Sequence, residues 1–272
     1  KQSRKRKRED ASLKTVMYVD CTRGIASDMF VAALLDCFED KEAVLRELQL
    51  NICNNMSLTV DFAKSYDRTG LLFTAKDNAY KSVNGINAHC AHAHSDLTDV
   101  HSFIDGTTFS QNVKNAAKGV YDIIAQAEAE AHGAAVDSVH FHEVGQKRAV
   151  ACIVCACALV DKLNADRVVF SGINAGYGKV ICAHGEVDVP APATAAILKR
   201  GIPHFYIDAV GGELCTPTGA ALAKYFASSF VAQTGLSEFA DMLPTAAVAR
   251  GVGLGRRDIG IANGVTVTLT GE

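Results

Sequence analysis

The sequence predicts an α/β fold, a mixed α+β single domain in which helices are interspersed with parallel and hairpin strands. Helical and strand-like apolar patterns alternate along the 272 residues, and 49% of the residues are apolar, which is enough for a substantial core. Two segments in which apolar and polar residues alternate are separated by a polar turn containing glycine, and this pattern predicts a hairpin. No internal repeat is visible, so the length fits one large domain.

The first half of the chain is predicted to contain a strand, two helices and the hairpin. They are the strand Thr15–Asp20, a helix capped by Ser27, a helix over Lys41–Leu50, and strands Leu58–Lys64 and Leu71–Lys76. The helix after Ser27 follows from the spacing of Met29, Phe30, Ala33 and Leu34. The polar stretch Lys81–Ser95 reads as a loop.

Longer helices and short strands are predicted in the second half. The helices are Gln111–His132, Lys147–Leu163, one from the Pro190-Ala191-Pro192 turn to Lys199, and one from Thr216 to about Phe230. The strands are Arg167–Phe170, Lys179–Cys182, Phe205–Asp208 and Val265–Leu269, with a Gly-rich segment at Gly251–Gly255. Gly133 is a natural stop for the longest helix.

Bulk composition excludes several classes of function. The formal net charge of −3 does not favour nucleic-acid binding, and no apolar run has the roughly 20 residues of a membrane helix. Nine cysteines without a compact framework spacing favour reduced thiols, so a cytoplasmic location is expected. Residues 1–14 are predicted to be a disordered basic tail, although their lysines and arginines also allow nuclear import or polyanion binding.

Histidines supply the main chemical signal. The run Val139-His140-Phe141-His142-Glu143-Val144-Gly145 places two imidazoles and a carboxylate together, and a second cluster lies upstream at His89, His92, His94 and His101. Imidazole and carboxylate bind nickel, zinc, iron or copper. If the run is extended, His140 and His142 share a side; if it is helical, His140 and Glu143 do. Both arrangements predict metal binding, and His184 is a further candidate ligand.

Three other groups are weaker candidates. Asp20 and Asp28 flank the first strand-to-helix turn, where they can orient a bound group. Arg256 and Arg257 suit phosphate or carboxylate. Cys152, Cys155 and Cys157 are expected to pack in a core helix, whereas Cys21 and Cys215 are expected in polar turns as possible soft ligands.

The segment His92-Ala93-His94-Ser95-Asp96 locally resembles the opening motif of phosphoesterases of the polymerase-and-histidinol-phosphatase type. That motif normally ends the first strand of a barrel. Here it lies in a polar loop in mid-chain, and metal-dependent phosphoester hydrolysis is therefore kept as a second alternative function.

Several motifs, taken together, resemble one family. They are Tyr18-Val19-Asp20-Cys21, Gly24-Ile25 and Asp28-Met29-Phe30; the His-Phe-His-Glu run; Cys182-Ala183-His184-Gly185; Val189-Pro190-Ala191-Pro192-Ala193-Thr194; Glu213-Leu214; Thr216-Pro217-Thr218-Gly219-Ala220-Ala221; and Arg257-Asp258 with Leu269-Thr270-Gly271-Glu272. Residues 15–272 thereby look like the N-terminal nickel-handling domain of the LarC family of nickel-insertion proteins.

This resemblance implies a specific activity. The family inserts nickel into pyridinium-3,5-bisthiocarboxylic acid mononucleotide, a lyase-class chelation that forms one carbon–nickel and two sulfur–nickel bonds in the cofactor of lactate racemase. It implies use of CTP, with Mg or Mn, through a C-terminal CTP-binding domain that this chain does not include. A homo-oligomer is possible.

The resemblance also suggests roles for particular residues. His140, His142 and Glu143 would bind or pass nickel, and the 89–101 histidines would recruit it. Asp20, Asp28 and Glu143 are the catalytic candidates. The cofactor-binding candidates are Thr216, Thr218, Arg256 and Arg257.

The chain departs from the family pattern close to the His-Phe-His-Glu run. The family usually carries Asp at the positions of Arg148 and Cys152, and its Ser-Gly pattern in the first loop is altered to Arg23 and Ser27. A cation beside metal ligands opposes nickel binding by Coulomb repulsion. An alternative is therefore a divergent, non-catalytic member that binds or stores nickel.

Overall fold

The computed structural model describes residues 15–53, 55–78, 95–182, 185–207, 211–231 and 247–271. Within these ranges the chain forms seven α-helices and thirteen strands. The helices are α1 (Ser27–Asp36), α2 (Lys41–Asn51), α3 (Leu97–Asp105), α4 (Gln111–His132), α5 (Lys147–Leu163), α6 (Pro192–Leu198) and α7 (Pro217–Phe226), with a 3-10 turn at Val136–Ser138. The predicted basic tail, residues 1–14, lies outside the described residues, as does most of the predicted loop Lys81–Ser95.

Most strands are short. They are β1 (Thr15–Arg23), β2 (Met56–Ser65), β3 (Arg68–Asp77), β4 (Arg167–Phe170), β5 (Ile173–Asn174), β6 (Gly176–Tyr177), β7 (Lys179–Cys182), β8 (Gly185–Asp188), β9 (His204–Phe205), β10 (Gly212–Glu213), β11 (Ser229–Phe230), β12 (Ala247–Leu254) and β13 (Gly264–Gly271).

The main sheet is mixed, as predicted. Among the described residues its strand order is β11-β4-β1-β13-β12-β3-β2. The pairs β1–β4, β4–β11 and β12–β3 are parallel, whereas β13 runs antiparallel to both of its neighbours and β2–β3 is a hairpin. The sheet is open, and the described residues therefore give no support to the barrel of the phosphoesterase alternative.

Helix α1 packs tightly on the sheet because β12 contains glycines. A Cβ at Gly253 would lie 1.8 Å from the carbonyl oxygen of Met29, and one at Gly251 would lie 2.1 Å from that of Ala33. The segment Gly251–Gly255, which was predicted only to be Gly-rich, lies mostly within strand β12. Glycine weakens the strand signal in the sequence, but here it allows the backbones of helix and strand to touch.

The long helices match their predictions. Ser110 caps α4, accepting a hydrogen bond from the Val113 amide at 3.3 Å, and Gly133 ends it in the left-handed conformation. Helix α5 is buried along most of its length. The ring of Tyr121, on α4, is fully buried, and its hydroxyl donates a hydrogen bond to the Val144 carbonyl at 2.8 Å. Both helices anchor the segment that contains the His-Phe-His-Glu run.

Other boundaries differ from prediction. The residue before α1 is Ala26, and Ser27 is the first helical residue, with its hydroxyl turned to another helix rather than capping its own. Helix α7 ends at Phe226 rather than near Phe230, because Ser229 and Phe230 pair with β4 as a strand. Strand β1 continues to Arg23, past its predicted end at Asp20.

Candidate functional site

The carboxyl ends of two strands set the position of the candidate site. Strand β1 ends at Arg23 and β12 at Leu254, and both residues align with Gly264 of the strand between them. The chain then turns into α1 on one side and into residues 255–258 on the other. Ligands of open α/β sheets commonly bind at this edge, where loops leave the strands.

The amino end of α7 contacts the amino end of α1. The Thr218 hydroxyl lies 3.3 Å from the Ser27 hydroxyl and 3.0 Å from that of Thr216. Thr216 caps α7 by accepting a hydrogen bond from the Gly219 amide at 3.2 Å. Gly219 is required here because a Cβ would lie 2.3 Å from the Ile25 carbonyl oxygen. Two predicted cofactor-binding residues, Thr216 and Thr218, are thus held beside Asp28.

Helix α5 brings its first turns to the same place. The thiol of Cys152 hydrogen-bonds with the Ser27 side chain, and Arg148 lies near enough to Asp28 for their charges to interact. These are the two positions at which the chain departs from the resembled pattern. Both departures therefore lie next to Asp28.

Asp28 is a partly buried carboxylate whose charge interacts with those of two arginines. Burial raises the pKa of Asp28. Hydrogen bonds from backbone amides, including that of Met29, lower it, and so do the charges of Arg256 and Arg148. The burial effect is the largest, so the pKa remains above the usual range of an Asp. The direction of this shift makes the Asp28 carboxylate a better proton acceptor than an ordinary exposed Asp.

Glu213 is a site residue that the sequence reasoning did not single out. It lies on β10, 3.8 Å from the Arg257 guanidinium at the nearest atoms. Burial raises the pKa of Glu213, Arg257 lowers it, and the neighbouring charge of Glu143 raises it again. Glu213 therefore lies near both Arg257 and Glu143, two residues predicted for the site. Its only sequence signal was its place in a family motif, because a single Glu after two glycines has no diagnostic spacing.

The His-Phe-His-Glu run is extended at its start. Val139 and Phe141 are buried, while His140 is exposed and His142 is half-buried, which is the alternation of a strand. Phe141 forms a two-way backbone bridge with Ser95, its amide donating at 2.7 Å. The extended alternative, with both imidazoles on one side, fits this burial. The bridge also joins the run to the residue that directly follows the His-rich segment.

The remaining predicted site residues lie elsewhere. Asp20 accepts hydrogen bonds from the Thr22 amide at 2.9 Å and hydroxyl at 2.6 Å, and its carboxylate is 3.9 Å from Arg68. It points to the face of the sheet opposite the core, since Val19 and Cys21 lie in the core. His101 lies on α3, and its Nε2 atom is buried. His89, His92, His94 and His184 lie outside the described residues.

No group of three or more His, Cys, Asp or Glu side chains within the described ranges is placed to hold a metal ion. The described part of the chain also has no helix that is long and apolar enough to cross a membrane.

A groove of about 420 Å³ opens beside the arginines. It lies between the β2–β3 hairpin and residues 255–258, and its lining includes Lys64, Tyr66, Arg256 and Arg257. The predicted pair of arginines therefore borders a cavity, while Arg256 also interacts with Asp28 and Arg257 with Glu213.

Comparison with known sequences defines the family. The sequence profile described as nickel insertion protein matches residues 17–272, nearly the whole chain. The chain belongs to the nickel insertion protein family. Proteins named pyridinium-3,5-bisthiocarboxylic acid mononucleotide nickel insertion protein are similar to it. The one from Staphylococcus epidermidis is 38% identical over 217 residues, covering 79% of this chain and 51% of the relative.

Other members of the family show the same partial coverage. The Clostridium kluyveri protein of the same name is 35% identical over 263 residues, 93% of this chain and 61% of the relative. A putative nickel insertion protein from Geobacter metallireducens is 38% identical over 218 residues, 79% of this chain and 52% of the relative. The chain thus spans about half to three fifths of the length of these relatives. No solved structure gave a significant match.

The buried thiols of this nickel insertion family member partly contradict the prediction. Cys152, Cys155 and Cys157 lie in the core, as expected. Cys21 and Cys215 are also fully buried rather than in polar turns, because the chain on either side of each pairs with neighbouring strands and loops. The prediction that Cys21 and Cys215 lie in polar turns was therefore wrong, and burial raises the pKa of both thiols.

Proposed function

We propose that this chain binds nickel and takes part in its insertion into pyridinium-3,5-bisthiocarboxylic acid mononucleotide. The observation that carries the proposal is a set of contacts among predicted residues near one sheet edge. Thr218 contacts Ser27, which precedes Asp28, and the charges of Asp28 and Arg256 interact. Arg257 lies beside Glu213, whose charge neighbours that of Glu143. Relatives that carry this activity in their names belong to the same family.

Nickel is the substrate of this reaction. His140, His142 and Glu143 bind or pass the ion, and His89, His92, His94, His101 and His184 recruit it. The bridge between Ser95 and Phe141 supports this, because it brings the described end of the His-rich segment to the middle of the His-Phe-His run. Imidazole binds nickel well, and thiocarboxylate sulfur is a softer ligand that can then take it.

Carboxylates carry the proton chemistry. Formation of a carbon–nickel bond breaks a carbon–hydrogen bond, and the released proton needs an acceptor. Glu143 is the proposed acceptor, because it directly follows the two proposed imidazole ligands of nickel and its charge neighbours that of Glu213. Asp28 orients the nucleotide or the metal. Asp20 is left out of this path because Thr22 and Arg68 hold it on the other face of the sheet.

The further requirements are carried over from the resemblance. CTP, with Mg or Mn, acts through a C-terminal CTP-binding domain, and the product serves lactate racemase. A cytoplasmic location and assembly into a homo-oligomer belong to the same proposal.

A nickel-storing, non-catalytic role is the second candidate. Arg148 favours it, because this cation interacts with Asp28 where the resembled pattern has a carboxylate. The two candidates agree on nickel binding and differ only on transfer to the nucleotide.

Nickel titration of the untagged protein tests the shared part. We expect stoichiometric nickel, measured by mass spectrometry after desalting, and loss of at least about tenfold in affinity in a His140→Ala, His142→Ala double variant. A His132→Ala, His204→Ala double variant is the matched control, because it removes two histidines outside the run. Absence of bound nickel in the wild type, or equal losses in both variants, refutes the proposal.

A further inference from the structure

We propose that the groove between the β2–β3 hairpin and residues 255–258 binds the pyridinium mononucleotide, with cations holding its anionic groups and Tyr66 covering its ring. The inference rests on the proposed function for the identity of the nucleotide. Its physical basis is the chemistry of the groove lining, which combines positive charge, an aromatic ring and apolar side chains.

Positive charge dominates the groove. Lys64, Arg256 and Arg257 line it, and the carboxylate among the lining residues is Asp258. That carboxylate already accepts hydrogen bonds from the Tyr66 hydroxyl and, at 3.2 Å, from the Gly260 amide. Asp258 is thus engaged by its own partners, and Lys64, Arg256 and Arg257 present positive charge to an incoming anion such as a phosphate or thiocarboxylate.

Arg256 is held in place by neutral groups. Its guanidinium donates to the Thr74 hydroxyl and, at 3.4 Å, to the Phe73 carbonyl, both on β3. These contacts fix the side chain through neutral groups, and the charge of Arg256 also interacts with that of Asp28. A fixed guanidinium loses less conformational entropy when it binds phosphate or carboxylate, so it binds more tightly than a mobile one.

Tyr66 and two leucines suit an aromatic ring. Tyr66 occupies the hairpin turn with a positive φ of 50°, is 51% exposed, and is tied to Asp258 through its hydroxyl. Leu72 and Leu254 provide apolar surface in the same groove. A pyridinium ring is both flat and positively charged, and the face of a phenol ring attracts such a cation.

The arginines of the groove also interact with predicted or candidate site carboxylates. The charge of Arg256 interacts with that of Asp28, and Arg257 lies beside Glu213, whose charge neighbours that of Glu143. A nucleotide held by Arg256 and Arg257 therefore contacts the same side chains that interact with Asp28 and Glu213.

Calorimetric titration with nicotinic acid mononucleotide, without nickel, tests the groove. This compound carries a pyridinium ring, a carboxylate and a phosphate. We expect it to bind the wild type more tightly than cytidine monophosphate, which lacks the cationic ring. Lys64→Gln and Arg256→Gln should each weaken binding about tenfold, because each removes a charged hydrogen bond. Arg46→Gln, on the exposed surface of α2, is the matched control and should bind as the wild type does.

Two substitutions at Tyr66 separate the ring from the hydroxyl. Tyr66→Ala should weaken binding several-fold, whereas Tyr66→Phe should retain most of it. The groove proposal is overturned if the wild type does not bind nicotinic acid mononucleotide, if a Lys64→Gln, Arg256→Gln double variant binds it unchanged, or if cytidine monophosphate binds equally well. This titration contains no nickel. A protein that binds nicotinic acid mononucleotide here but fails to transfer nickel would therefore contradict the proposed function and leave the groove proposal standing.

Discussion

Asp28 is the residue at which the proposed function and the stability of the fold oppose each other. Its carboxylate is partly buried at the start of α1, and this burial raises its pKa despite two nearby arginines. In the native protein the ionised form is therefore disfavoured relative to the unfolded chain. This costs stability above the ordinary pKa of Asp, and the cost disappears as the pH falls towards that value.

Replacing this carboxylate by an amide should stabilise the fold. Asp28→Asn is expected to raise the free energy of unfolding at pH 7 by about 1 kcal/mol, with a smaller gain near about pH 4. Urea denaturation at the two pH values measures both. Asp161→Asn, at an exposed position of α5, should change neither. Destabilisation by Asp28→Asn at pH 7 would mean that its ion pairs outweigh its burial.

Arg148 is the residue at which the competing functions can be separated. Its charge interacts with Asp28, and it stands in the first turn of α5, where a cation also opposes the helix dipole. Arg148→Asp should raise nickel affinity about tenfold by removing repulsion and adding a carboxylate. Arg148→Gln, which only removes the charge, should give a smaller gain. Equal nickel affinities of all three proteins in a chelator competition would show that Arg148 does not act on the metal.

At the scale of elements, the sequence was most informative where one periodicity ran for many residues. Helices α4 and α5 have the predicted limits, because each has a long helical apolar pattern and α4 also has a Gly stop. The short strand β11 was absorbed into the predicted α7, and β12 was recognised only as Gly-rich. Both errors have one cause: contacts with distant segments, rather than local preference, determine these strands.

Glycine contacts between elements also position the site. Gly219→Ala would place a Cβ 2.3 Å from the Ile25 carbonyl oxygen, so α7 would have to move away from the start of α1. We expect a loss of about 2–3 kcal/mol in the free energy of unfolding. Gly211→Ala is the control, because a Cβ there meets nothing within 4 Å. Similar stabilities of the two variants would contradict this packing.

At the scale of the whole molecule, charge is unevenly distributed. The formal net charge is −3, yet the groove is lined by Lys64, Arg256 and Arg257. Binding of an anionic nucleotide there should weaken several-fold when the salt concentration rises from about 0.05 to 0.5 M, because salt screens exposed charges. Calorimetry at both concentrations measures this, and an affinity independent of salt would argue against a cationic groove.

The site could be predicted only in part. The residue types were recognisable from motifs. Thr218 contacts Ser27 beside Asp28, Asp28 interacts with Arg256, and the two arginines line one groove. Glu213 was missed, and Asp20 was grouped with Asp28 because they are neighbours in sequence. Only the sheet places Asp20 on the opposite face, since side chains of a strand alternate.

Nickel transfer to the mononucleotide tests the central claim most directly. The nickel-loaded protein is incubated with pyridinium-3,5-bisthiocarboxylic acid mononucleotide, CTP and the C-terminal CTP-binding domain, and the nucleotide is analysed by mass spectrometry. The account predicts a product carrying the nickel isotope pattern with the wild type, and much less of it with Glu143→Gln. A wild-type protein that binds both nickel and the nucleotide but yields no nickel-containing product would contradict insertion and leave nickel storage.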